Sequence, residues 1–170
     1  MHRLPLPVPG SLWASPMPFG PFDPQGEVWH AYRRQGIQAV VMLASVGEAV
    51  HRAGRDLTRW YARHGLEVLY YPIKDFGVPN PATLPQALDR TWAWLQAGMQ
   101  VAVHCQAGRG RTGTFVACLV RRHLGWSGPQ ALAWVRQHLP GAVENAAQEA
   151  FVRRMCPTLG QNATAPPRRT

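Results

Sequence analysis

The run His104-Cys105-Gln106-Ala107-Gly108-Arg109-Gly110-Arg111-Thr112-Gly113 places a thiol, two guanidinium groups, a hydroxyl and three glycines within ten residues. An ionised thiol is a nucleophile. Gly108 and Gly110 allow the positive φ values of a tight cradle and let successive N–H groups turn toward one point. A helix opening near Gly110 adds unsatisfied amides and the positive end of its dipole. Arg111 supplies a planar, permanently charged fork that can hold two phosphate oxygens, and the same field favours the thiolate of Cys105. Thr112 can donate its hydroxyl to the thiolate or to the departing sulfur. Such a loop binds a phosphate, with the amides of Gln106, Ala107, Gly108, Arg109 and Gly110 around it, and aims Cys105 at the phosphorus.

Two bland readings compete. A cysteine at a strand end is usually a small buried hydrophobe, and a single histidine such as His104 is usually a satisfied core residue. Both lose force once Arg111 and the glycines are counted. Gly108-x-Gly110-x-x-Gly113 also matches a dinucleotide fingerprint. However, no Asp or Glu lies between Gly113 and Glu144 to bind a ribose, and no further strand completes the unit.

The elements that must position this loop follow from patterning. Met99–His104 is an apolar run of strand length ending at the cysteine, and a helical pattern runs from Gly110 to about Leu124. Upstream, Ile37–Leu43 and Leu66–Ile73 read as strands, with helices over Gly26–Gln35, Val46–His64 and about Ala82–Ala97. Ser11–Ala14 is a short extended candidate. Ser127 with Gln130, and Asn145 with Gln148, look like capping boxes opening helices to about Leu139 and Met155. The expected fold is α/β, a single domain with a central, mostly parallel sheet of four to five strands and helices on both faces. Its phosphate-binding loop joins a central strand to a helix, at the carboxyl edge where such sheets bind ligands. Residues 1–25 form a Pro/Gly-rich N-terminal segment, residues 26–156 the domain, and residues 157–170 a polar, Pro-rich tail expected to be disordered.

A chain of 170 residues with 46% hydrophobic content suits one globular domain. No apolar run approaches the ~20 residues of a membrane span, and Pro5, Pro7 and Pro9 interrupt the N-terminal apolar stretch, so a cytoplasmic location and a monomer are expected. Three cysteines without a C-x-x-C pair argue against a disulfide scaffold or structural zinc. Cys118 falls about 12 Å along the helix from the loop, beyond the ~7 Å a disulfide to Cys105 allows, and Cys156 has no evident role. The net charge is +9, with Lys74 the one lysine among 18 basic residues. That favours anionic partners, but no basic run interleaves with aromatics as a nucleic-acid groove requires.

His104–Gly113 resembles the signature of the cysteine-based protein tyrosine phosphatases, and the short chain resembles their compact dual-specificity branch. The similarity runs from about Ile37 to Met155 and includes Pro140-Gly141-Ala142-Val143-Glu144-Asn145-x-x-Gln148. It implies a general acid on a loop before the cysteine, matched by Asp75-Phe76-Gly77-Val78-Pro79. It further implies a metal-independent and cofactor-free reaction through a phosphocysteine, with Arg111 holding the equatorial oxygens and Asp75 protonating the leaving oxygen. Gln148 aligns with a water-positioning glutamine but equally fits a capping box, and Glu48 is a loose match for a residue bracing Arg111. Expected substrates are phosphorylated proteins or peptides, with phosphotyrosine accepted and phosphoserine or phosphothreonine open. Arg109, and less so Lys74, leave a phosphoinositide or inositol phosphate as an alternative, and a non-catalytic phosphoprotein-binding module is a further one.

Overall fold

The computed structural model describes residues 1–155, so Cys156 and the tail 157–170 lie outside the described residues. Five strands form one sheet: β1 (His2–Leu4), β2 (Ser11–Ser15), β3 (Ala39–Met42), β4 (Glu67–Tyr70) and β5 (Gln100–His104). Their order is β1-β2-β5-β3-β4, with β1 antiparallel and all other neighbours parallel. Strand β5 is therefore central, as the position of the cysteine loop requires.

Period-two alternation explains why helices cover both faces. Ala39, Val41, Val101 and Val103 point into one core, under α4 (Leu84–Gln96), α5 (Gly110–Leu124) and α6 (Gly128–His138). Val40, Met42 and Ala102 point into the other, beneath α1 (Glu27–Arg34), α2 (Val46–Ala53) and α3 (Leu57–Arg63). The last helix, α7 (Ala146–Ala150), runs into a π-helical turn over Phe151–Met155.

The structure departs from the sequence expectation at identifiable points. Residues 46–64 are two helices, because Gly54 adopts a left-handed φ of 67° and ends α2, and Asp56 caps α3 through the amides of Thr58 and Arg59. The extended candidate at Ser11–Ala14 forms β2 as expected, but the N-terminal segment supplies a further strand, β1, which pairs with β2 and buries Leu4. Helix α4 begins at Leu84, two residues later than expected, with Pro85 in its first turn. The Ser127–Gln130 capping box forms in full.

Candidate functional site

Strand β5 delivers His104 and Cys105 to the carboxyl edge of the sheet, and α5 starts five residues beyond the cysteine, at Gly110. His104 is fully buried; its Nε2 meets the Tyr61 hydroxyl at 2.8 Å and its Nδ1 the Cys105 carbonyl at 3.0 Å. Burial pushes its imidazole down to about 4, so at neutral pH it is an uncharged core anchor for the first peptide of the loop. The loop is tied to β2 by a hydrogen bond from the Met17 N–H to the Gln106 carbonyl, 2.9 Å.

Gly108 has φ +72°, and a Cβ there would stand 2.3 Å from the Ser15 carbonyl oxygen. At Gly110 a Cβ would meet the Glu144 carboxylate. Gly108 is thus dictated by its positive φ and by backbone contact, whereas at Gly110 the obstacle is the movable end of a side chain. None of the amides of Gln106 through Gly110 donates to a protein acceptor among the described residues. These five unpartnered donors beside a helix N-terminus are what the cradle expected from the glycine spacing needs.

Arg111 is 2% exposed, and both its terminal nitrogens are engaged. Nη1 donates to Glu48 Oε2 at 2.9 Å and to the Ile73 carbonyl at 3.0 Å. Nη2 donates to Glu48 Oε1 at 2.8 Å and lies 3.0 Å from Asp75 Oδ1. Burial alone would raise the Glu48 carboxyl, but the bidentate Arg111 guanidinium outweighs it and holds Glu48 below the ordinary carboxylate range. The loose sequence match at Glu48 is therefore a real contact. Ser45, its helix cap, fixes the start of α2 by accepting from the Glu48 amide.

Asp75 is 46% exposed on the loop after β4 and faces the cradle through Arg111. Cys105, Arg111, Asp75, Gln106, Ala107, Arg109 and Gly110 line one cavity of about 360 Å³, with Arg52, Glu144 and the exposed rings of Phe22 and Phe76. Gly108 instead lines an adjoining cavity of about 370 Å³, which shares Phe22, Ala107 and Arg109 with the first. Lys74 is exposed and lines neither cavity.

Two expectations change. Thr112 Oγ1 is buried and has no hydrogen-bond partner among the described residues, so its hydroxyl is not on the Cys105 sulfur. The side chain of Gln148 does not return to the amide of Asn145 as a capping box requires. Asn145 does cap α7 through the Gln148 amide, but the buried Gln148 side chain accepts from the Glu144 amide at 3.0 Å and donates to the Gly77 carbonyl at 3.1 Å. Arg52 and Phe22 carried no expectation in the sequence, and Phe76 entered only as part of the acid-loop motif, not as a wall of the cavity. Arg52 had one signal: it sits one helical turn after Glu48, on the same face of α2.

No group of three or more His, Cys, Asp or Glu side chains suited to hold a metal occurs among the described residues. No described helix is long and apolar enough to cross a membrane.

This geometry agrees with comparison to known proteins. The family model "Polymorphic toxin system, DSP-PTPase phosphatase" matches residues 20–124, a span that includes Asp75 and the Cys105 loop. The chain belongs to this DSP-PTPase phosphatase family, within the compact dual-specificity branch of the cysteine-based protein tyrosine phosphatases. It is 30% identical over 158 residues to mouse protein tyrosine phosphatase domain-containing protein 1, covering 84% of this chain and 21% of that protein. It is 43% identical over 80 residues to human dual specificity protein phosphatase CDC14C, covering 47% of this chain and 17% of that protein. The chain therefore spans only a small part of the length of these relatives.

Among solved structures, Tk-PTP in its active form shares 30% identity at a TM-score of 0.67, covering 84% of this chain and 87% of that one. PTPMT1 in complex with PI(5)P shares the fold at 21% identity and a TM-score of 0.61, covering 84% and 88%.

Proposed function

We propose that the chain hydrolyses phosphate monoesters through a phosphocysteine formed on Cys105, with phosphotyrosine in proteins or peptides as an accepted substrate. The observation that carries this reading is that Cys105, Arg111, Asp75 and the residues Gln106, Ala107, Arg109 and Gly110, whose amides are unpartnered, line one cavity. In the first step Cys105 Sγ attacks phosphorus as the phosphorus–oxygen bond to the leaving group breaks. The amides and Arg111 hold the three equatorial oxygens, and Asp75 gives its proton to the departing oxygen. In the second step Asp75 takes a proton from water as that water displaces the sulfur, releasing inorganic phosphate. To donate to the leaving thiolate, the buried and unpartnered Thr112 hydroxyl would have to turn onto the sulfur, which it does not touch in this structure. Entry of a phosphate requires Asp75 to yield its place on Nη2 of Arg111. The exposed rings of Phe22 and Phe76 at the cavity mouth suit an aryl leaving group.

A second reading, hydrolysis of a phosphoinositide or inositol phosphate, has its own observation. The charge of Arg111 is compensated by Glu48 and Asp75, whereas Arg52 and Arg109 have no ion-pair partner within 4 Å among the described residues. Two cations on the cavity wall without a close ion pair favour a substrate with a second anionic group, and PTPMT1 was solved with PI(5)P bound.

An aryl-phosphate assay with chelator present tests the first reading. Turnover that disappears in Cys105→Ser supports it; phosphate binding without turnover identifies a binding module instead. Comparing phosphotyrosyl peptides with soluble inositol phosphates, wild type against Arg109→Ala, separates the two substrate classes.

A further inference from the structure

The acid loop is tethered to the chain that leads into α7. Asn145 Nδ2 donates to the Phe76 carbonyl at 2.9 Å, and Gln148 Nε2 donates to the Gly77 carbonyl at 3.1 Å. Phe76 and Gly77 immediately follow Asp75. The same two residues are fixed from behind: Asn145 Oδ1 accepts from the Gln148 amide at 2.9 Å, and Gln148 Oε1 accepts from the Glu144 amide at 3.0 Å. Each amide side chain therefore uses its oxygen to hold its own segment and its nitrogen to hold the loop.

Backbone strain sits on both sides of this junction. Phe76 has φ 57° and Val143 φ 56°, two of three non-glycine residues in the left-handed region among the described residues. For a β-branched valine this is a marked outlier. Such conformations persist only where surrounding contacts over-determine them. Here Arg136 Nη2 donates to the Val143 carbonyl at 3.2 Å while bonding Glu149 at 2.8 Å. The Phe76 carbonyl is held by Asn145, and the ring it carries is 65% exposed, so ring packing does not explain the conformation.

We propose that Asn145, together with Gln148, is a latch that positions the general acid, holding the Phe76–Gly77 backbone so that Asp75 stays over the cradle. Asn145 is a positioning residue: it acts on the leaving oxygen only through Asp75. The assignment rests on the phosphatase reading above. It also gives the Asn145-x-x-Gln148 pattern a role that neither a capping box nor a water-positioning glutamine describes. Protonation of the leaving group matters most for a poor leaving group and least for an activated one. A latch for the acid must therefore show itself as a change in leaving-group dependence.

The test uses the full chain and Asn145→Ser, which keeps a good helix cap but is too short to reach Phe76, with Asn145→Asp as a second variant of native length lacking the N–H donor. Each is assayed with phenyl phosphate and with a nitro-activated aryl phosphate. Both variants are expected to lose about five- to tenfold in kcat/KM on phenyl phosphate, the worth of one hydrogen bond, and under about threefold on the activated ester. The ratio of the two substrates is independent of how much enzyme is folded. In an Asp75→Ala background, Asn145→Ser should produce no further loss on phenyl phosphate. Equal losses on both esters, no loss on either, or a full loss in the Asp75→Ala background would overturn the latch. If the wild type itself turns over neither ester, the phosphatase reading fails instead.

Discussion

Arg111 is a buried cation with two anionic neighbours, and replacing Glu48 tests how that charge is held. Glu48→Gln keeps the length of the side chain and one acceptor oxygen, but removes the charge and half of the bidentate pair at 2.8 and 2.9 Å. Breaking a buried pair by neutralising one partner costs about 3–5 kcal/mol. Asp75, 3.0 Å from Nη2, remains as a counter-charge, which places the expected loss near the lower end, about 3 kcal/mol. For a chain of this size that lowers the thermal midpoint by roughly 6–12 °C. Asp75→Asn alone removes a half-exposed ion pair and should cost no more than about 1 kcal/mol. The decisive variant is the double one. With both acids gone, Arg111 keeps the Ile73 carbonyl, neutral amides and the neighbouring Cys105, but no carboxylate, so the combined loss should exceed the sum of the single losses by at least about 1 kcal/mol. Urea denaturation of the four proteins measures the cycle. Additivity within about 0.5 kcal/mol would refute the idea that the two carboxylates share one buried charge.

Gly108→Ala places a Cβ 2.3 Å from the Ser15 carbonyl at φ +72°. It should destabilise the fold by at least about 1–3 kcal/mol and depress turnover more than binding of the activated ester, which denaturation and steady-state kinetics report together. His104 makes one contribution to the pH dependence: its pKa is about 4 folded against 6.5 unfolded, so between those values the unfolded chain binds the extra proton. Its contribution to stability is therefore complete above about pH 6.5 and falls as the pH drops toward 4, by about 3 kcal/mol at the lower end. His104→Gln should flatten that part of the stability–pH curve, and an unchanged slope would mean that His104 is not the titrating group.

Much of the site was legible because its parts are contiguous. The cradle from Cys105 to Gly110 and the limits of α5 depend on glycine placement and a strand-to-helix change of period, both local signals. Asp75 was legible through the resemblance alone. What was faint or hidden depends on contacts across long separations: Glu48, only a loose match by resemblance, lies 63 residues from Arg111, and Asn145, whose contact left no signal, lies 69 from Phe76. Asn145 and Gln148 carried a true capping signal, and nothing local shows that the amide nitrogens turn outward to another loop. Strand β1 was missed because three residues among prolines carry almost no periodicity, and its pairing with β2 decides its conformation. The break between α2 and α3 was present in Gly54 and Asp56, a C-cap followed by an N-cap, but the helical pattern continues across it.

The account stands or falls on a covalent bond between phosphorus and Cys105. Rapid-quench turnover of a ³²P-labelled aryl phosphate, followed by proteolytic mapping, tests it directly. The expected result is transient label on the peptide containing Cys105, formed and lost at rates compatible with turnover, and neither label nor turnover in Cys105→Ser. Turnover that persists in Cys105→Ser, or a labelled peptide that does not contain Cys105, would contradict it.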